Sequence, residues 1–254
     1  MGLNDMTNRQ VEQKPVPPAG VHVARCYQII ELGAHEKTFP GKPPKDIPLV
    51  YFGWEIPAYS HVFDENKGPQ PLAVFQEYTA SLDVKSKLNK DLRSWRGMAQ
   101  LPSDVKLKDW LSQPCMINIV HTTSKDAKLP VEKSIYKDGK MVYANVNSVM
   151  PLMQGASCPP AVNKATYFDF DDFAVMGVNN WSNYLALPKW MQEKIAKLLW
   201  VSINGRRMSW NEIVTKWPLP SNSTETTSAA TSFSPSAISP DSYNAGIMDA
   251  PPSF

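Results

Sequence analysis

Four stretches of this chain set aromatic or cationic side chains on the face of a strand opposite its apolar residues. In "GVHVARCYQIIEL" these are Arg25 and Tyr27, in "LVYFGWEIP" Tyr51, in "LAVFQEYTASL" Phe75 and in "YANVNSVM" Tyr143. Two polar stretches add cations: "GAHEKTFPGKPPKDIP" carries Lys37, Lys42 and Lys45 beside His35, and "SKDAKLPVEKS" carries Lys125, Lys128 and Lys133. Arg93 and Arg96 close a basic segment, "VKSKLNKDLRSWRGM". Flat rings that stack bases, worth ~1–3 kcal/mol per base, together with cations that follow phosphates, are what binding of a single-stranded nucleic acid requires. Taken one at a time, such a ring packs under a loop and such a lysine is solvated more often than either meets a ligand. The set as a whole favours nucleic acid.

The same search returns no catalytic constellation. G-x-S-x-G, a phosphate loop and H-E-x-x-H are all missing, so no enzyme activity and no cofactor are expected. His22, His61 and His121 have no Cys or Asp at ligand spacing, and Cys26, Cys115 and Cys158 form no C-x-x-C pair, which argues against zinc and against a disulfide framework. Asp169, Asp171 and Asp172 in "YFDFDDF" resemble a carboxylate cluster but lack the Gly and distal Glu of a calcium loop. They read as a solvated turn, with a metal-dependent nuclease as the minority alternative.

The elements that must carry these residues follow from patterning. Gly20–Leu32 reads as a strand that stops at Gly33, and the proline-rich stretch after it reads as a loop. Leu49–Pro57 alternates, with Val50, Phe52, Trp54 and Ile56 on one face, so it should be a half-buried strand. A third strand, "LAVFQEYTASL", runs into a helix whose Leu88, Leu92 and Trp95 form one apolar stripe; Ser81 or Asp83 can cap its start and Gly97 its end. A second short helix is expected in "SDVKLKDWLSQ". A fourth strand spans Pro114–Thr123, and a fifth in "IYKDGKMVYANVNSVMPL" can turn at Asp138-Gly139. Three strands, a helix and two strands is the chain order of the OB-fold, a five-stranded Greek-key barrel plugged by the helix between strands three and four. The expected fold is therefore mainly β, with a helical C-terminal extension and a disordered tail.

The chain has 254 residues and 43% hydrophobic content, enough for a real core. Four parts are expected: a leader over 1–19, the OB-fold domain over 20–176, a helical extension over 177–217 with five Trp, and an acidic tail over 218–254. In the extension, Trp190, Met191, Ile195 and Leu198 share a helix face that should pack into a core, with a dimer or partner contact as the minority alternative. The tail holds three acids and no Lys or Arg, so it carries −3 and leaves +5 on the body of a chain whose net charge is +2. Its Ser/Thr/Ala/Pro composition offers too little apolar surface to offset ordering entropy. No apolar run approaches the roughly 20 residues of a membrane span, so no membrane partner is expected.

Three segments, "PAGVHVARCYQIIELG", "YTASLDVKSKLNKDLRSWRGM" and "YANVNSVMPLMQG", resemble the phage and prophage replication-initiation or single-stranded DNA-binding proteins, over about Pro18 to Phe173. The resemblance implies an OB-like core, single-stranded DNA as partner, a part in phage DNA replication or recombination, and the cytoplasm of an infected bacterial host. The tail tip, "GIMDAPPSF", is similar to the tip of bacterial single-stranded DNA-binding proteins, which docks replication and repair partners. That implies partner-binding roles for Asp249 and Phe254. A replication organiser or loader working mainly by protein contact is the alternative, favoured by the five Trp of the extension.

Overall fold

The computed structural model describes residues 15–123, 136–137 and 140–220. The chain runs β1 (Gly20–Lys37), β2 (Lys45–His61), β3 (Gln70–Thr79), α1 (Lys87–Arg96), β4 (Pro114–Thr123), β5 (Tyr136–Lys137), β6 (Lys140–Met150) and β7 (Thr166–Phe168). It continues through α2 (Asp172–Met176), α3 (Trp181–Leu185), α4 (Lys189–Ala196), the hairpin of β8 (Val201–Ile203) and β9 (Arg206–Met208), and α5 (Trp210–Lys216). The fold is mainly β. Six strands form an antiparallel sheet in the order β3-β2-β1-β4-β6-β5, and β7 joins it parallel to β1 at Gln28–Ile30.

The expected closed barrel is not what forms. Strands β3 and β6 approach within 8 Å between Cα atoms but share no ladder, and α1 lies against both. The apolar stripe of α1 explains its seat: Leu88, Leu92 and Trp95 are buried in one core with Val50, Phe52, Trp54 and Ile56 of β2 and Ile117, Ile119, Val146 and Val149 of β4 and β6. The Trp95 indole also donates to the Pro114 carbonyl at 2.9 Å. Ser86, rather than Ser81 or Asp83, caps the helix by accepting from the Asn89 amide. Seven residues therefore separate the end of β3 from the start of the helix, and Asp83 turns the connection by accepting from the Lys85 amide. Gly97 takes the left-handed conformation that ends the helix.

Other boundaries shift for identifiable reasons. Gly33 does not stop β1; its φ of +75° forms a bulge and the strand goes on to Lys37, paired with Lys45. A side chain there would meet Leu198 atoms at 2.8 and 3.0 Å, so the backbone also needs a glycine for clearance. The irregular loop consequently shrinks to residues 38–44. The second short helix is a single 3₁₀ turn, Leu107–Trp110. Lys137 pairs with Lys140, which suits a two-residue turn; Asp138 and Gly139 lie outside the described residues.

A second core covers the other face of the sheet. Ile30, Leu32, Leu49 and Tyr51 pack with Phe168, Phe170, Phe173, Trp181, Tyr184, Met191, Ile195 and Ile213. β2 is thus buried on both faces, not one. Residues 177–217 are folded onto the sheet, and the Met191/Ile195 face of α4 packs inward, as does Leu198 just after the helix.

Candidate nucleic-acid interface

The outer face of β1–β2–β3 was the expected binding surface, and two lids cover its ends. At one end Arg25 and Glu55 are opposite residues of β1 and β2. The Arg25 guanidinium donates to the carbonyls of Ser112 (2.6 Å), Cys158 (2.9 Å) and Pro159 (3.0 Å). The Glu55 carboxylate, fully buried, accepts from the amides of Val162 (3.0 Å) and Asn163 (2.9 Å) and from the Asn163 side chain (2.8 Å). The segment 158–163 is tied down across the sheet.

At the other end Glu77 on β3 holds two lysines, Lys37 of β1 at 2.9 Å and Lys194 of α4 at 2.5 Å. Burial pushes the Glu77 carboxyl up, but the two ammonium groups outweigh it and hold it below the usual carboxylate range. Tyr51, the cross-strand neighbour of Glu77, stacks on Phe75 with centroids 5.4 Å apart and meets Trp190 of α4 edge-on at 5.7 Å.

Between the lids lies a strip of Tyr27, Gln28, Gly53 and Phe75. Gly53 sits between Gln28 and Phe75 in the sheet, and a Cβ on it would fall 2.9 Å from the Phe75 ring. The missing side chain is what lets Phe75 lie flat on β2, with Tyr27 against its edge at 6.2 Å. Phe75 is half-buried and Tyr27 is 9% exposed, whereas Tyr51 is 3% exposed and offers no ring to a base. The sequence register was right, since these rings do lie away from the first core. What periodicity did not reveal is that residues 166–217 return to cover them.

The remaining candidates scatter. Tyr143 is buried on β6. The Arg93 guanidinium donates to the Ala99 carbonyl at 2.6 Å; that of Arg96 donates to the Asp109 carbonyl at 2.6 Å and lies over the buried Trp110 ring. Lys42 and Lys45 are exposed and make no ion pair among the described residues. Lys125, Lys128, Lys133, Asp249 and Phe254 lie outside the described residues.

The acids of "YFDFDDF" are absorbed by local structure. Asp169 accepts from the Tyr167 hydroxyl at 2.7 Å and from the Asp171 amide at 2.8 Å, and Asp171 accepts from the Asn204 amide at 2.8 Å. Among the described residues no three His, Cys, Asp or Glu side chains are grouped to hold a metal. Glu31, unnoticed in the sequence, faces this turn and accepts from the Phe170 amide at 3.0 Å. Burial, reinforced by the charge of Asp169 and then Asp171, pushes its carboxyl up to about 8. The three cysteines likewise converge on Ala24, two residues from Cys26: Cys115 is its partner on β4 and the Cys158 thiol donates to its carbonyl at 3.6 Å. Burial pushes all three thiols up, the opposite of activation.

Comparison of the sequence with protein-family models and with curated proteins finds no match. Among the described residues no helix is long and apolar enough to cross a membrane.

Proposed function

We propose that this chain is a non-catalytic single-stranded DNA-binding protein acting in phage DNA replication or recombination, built on an OB-type core and working in the cytoplasm of the infected host. The observation that carries this reading is the strand order β3-β2-β1-β4-β6 with α1 inserted between β3 and β4 and seated against β3 and β6. That is the order of an OB barrel opened along one seam, and OB-folds are partly open Greek-key barrels whose loops grip oligonucleotides. Exposed Lys42 and Lys45 at the β1–β2 connection suit that role, as does the resemblance to phage replication proteins. The tail, with Asp249 and Phe254, is proposed as the docking segment for replication partners.

Fluorescence anisotropy with labelled single-stranded DNA, duplex DNA and RNA tests this reading. Single-stranded DNA should bind most tightly, with log affinity falling linearly in log salt by about 0.7 per contacted phosphate. Equal binding of duplex, or none of any, would overturn it. A replication organiser acting through protein contacts is the second reading. It is favoured by Val175, Met176 and Val178, an exposed apolar run on the C-terminal helices, with Val175 at 87% exposure.

A further inference from the structure

We propose that the β8–β9 hairpin, through Arg206, Arg207 and Trp200, is a contact surface for the backbone of single-stranded DNA. The inference rests on the proposed function and names where that binding occurs. The strand-two and strand-three face is covered by residues 166–217, so a strand of DNA must be met by the outside of that cover or at the rim of the sheet.

Five cation–ring pairs stand among the described residues, and in four of them either the cation or the ring is engaged elsewhere. Lys87, over Tyr78, is held by Asp91 and the Asn147 carbonyl. Arg96 is held by the Asp109 carbonyl over a buried Trp110, and Lys108 lies over a Tyr167 tied to Asp169. Lys216 lies over Trp217, which is stacked on Phe173. In the fifth, the guanidinium of exposed Arg207 sits 4.1 Å from the centroid of the half-exposed Trp200 ring and makes no hydrogen bond or ion pair among the described residues. A cation held on a ring has already lost much of its rotamer freedom, so less is lost when it meets a phosphate or a base. Arg206 beside it has a side chain 71% exposed, and among the described residues its ion pair is with Glu212 at 3.8 Å.

The hairpin is placed by the fold. Asn204 and Gly205 make its two-residue turn with φ of +49° and +76°, the signature of a primed turn that splays nothing. The Ala34 amide donates to the Trp200 carbonyl at 2.7 Å and the Leu199 amide to the Ala34 carbonyl at 2.8 Å, which fixes Trp200 beside β1. Ala34 is three residues before Lys37, the partner of Lys45, so the Lys45 rung lies about 10 Å further along β1. Exposed Lys197 precedes Trp200 by three residues. An arginine over a half-exposed ring, with further exposed lysines at the rim of an otherwise covered sheet, supplies the cations and the stacking platform that take single strands.

The test compares the full chain, Arg206→Ala/Arg207→Ala, and Lys90→Ala on the exposed side of α1, using anisotropy of a labelled oligothymidylate over a salt series, with circular dichroism melting as a fold check. The double variant should lose roughly tenfold in affinity at low salt and about 1.4 from the log–log slope, the share of two phosphates, while melting as the wild type does. Lys90→Ala should match wild type. Wild-type affinity and slope in the double variant would overturn the hairpin assignment while leaving the proposed function standing. Loss of affinity with an unchanged slope would also overturn it, because the arginines would then not be meeting phosphates. Failure of the wild-type chain to bind single strands would overturn the proposed function, and this inference with it.

Discussion

Arg25 and Glu55 face each other on adjacent strands, and both reach the same segment, residues 158–163: Arg25 donates to the carbonyls of Cys158 and Pro159, as well as to that of Ser112, and Glu55 accepts from the amides of Val162 and Asn163. The pair acts as a two-point fastening between the sheet and the chain that leads into β7. Removing either partner leaves polar backbone groups without their acceptor or donor, which costs ~1–3 kcal/mol.

Arg25→Ala and Glu55→Ala should each destabilise by that amount in urea unfolding, and each should open residues 151–166 to limited proteolysis before global unfolding. The double variant should cost less than the two singles together, because one segment is released in either case. Strict additivity, with no new cleavage in that segment, would show that the two ends are held independently of the sheet.

Tyr51 tests whether the outer face is core or ligand platform. At 3% exposure, stacked on Phe75 and edge-on to Trp190, it should behave as a buried aromatic: Tyr51→Ala should cost ~3–5 kcal/mol. Its loss should also weaken the hold of α4 on the sheet, because Trp190 and Lys194 both reach that spot. A variant that melts like wild type but binds DNA poorly would instead place Tyr51 on an accessible surface.

The inward set of β2, the α1 stripe and the Gly97 cap were legible because each depends on local spacing. The chain order of three strands, a helix and further strands was legible for the same reason, whereas the pairing of β1 with β4 joins strands far apart in sequence. The second core was not legible. Tyr51 read as an accessible ring, and Glu77 drew no reading, because the groups that bury them, Trp190 and Lys194, arrive more than a hundred residues later in sequence. Arg25 read as a phosphate contact for a similar reason: its three carbonyl partners belong to two distant segments that no periodicity predicts.

Gly33 carries two demands at once, a φ of +75° and clearance for the Leu198 side chain. Gly33→Ala should therefore destabilise by ~1–3 kcal/mol, from left-handed strain and overpacking together. Adding Leu198→Ala should recover only the packing part relative to Leu198→Ala alone. If the glycine substitution proved neutral in both backgrounds, the β1 bulge would not be packed on the segment after α4.

Glu31 should give this protein an unusual dependence on pH. Its carboxyl, pushed up to about 8 by burial and by Asp169 and Asp171, keeps its proton in the folded state where the unfolded chain has already released it. The unfolded state then binds fewer protons, so this group's contribution to stability falls as pH rises from about 4.5 towards 8 and is level above that, with a slope of at most ~1.4 kcal/mol per pH unit. The usual carboxylate, lowered by folding, works the other way. Glu31→Gln retains an oxygen to accept from the Phe170 amide and carries no charge to place beside Asp169. Urea unfolding at pH 5 and pH 8 should show the variant close to wild type at the lower pH and more stable at the higher. Parallel losses in both proteins between the two pH values would mean that the Glu31–Asp169 contact is not where the proton is held.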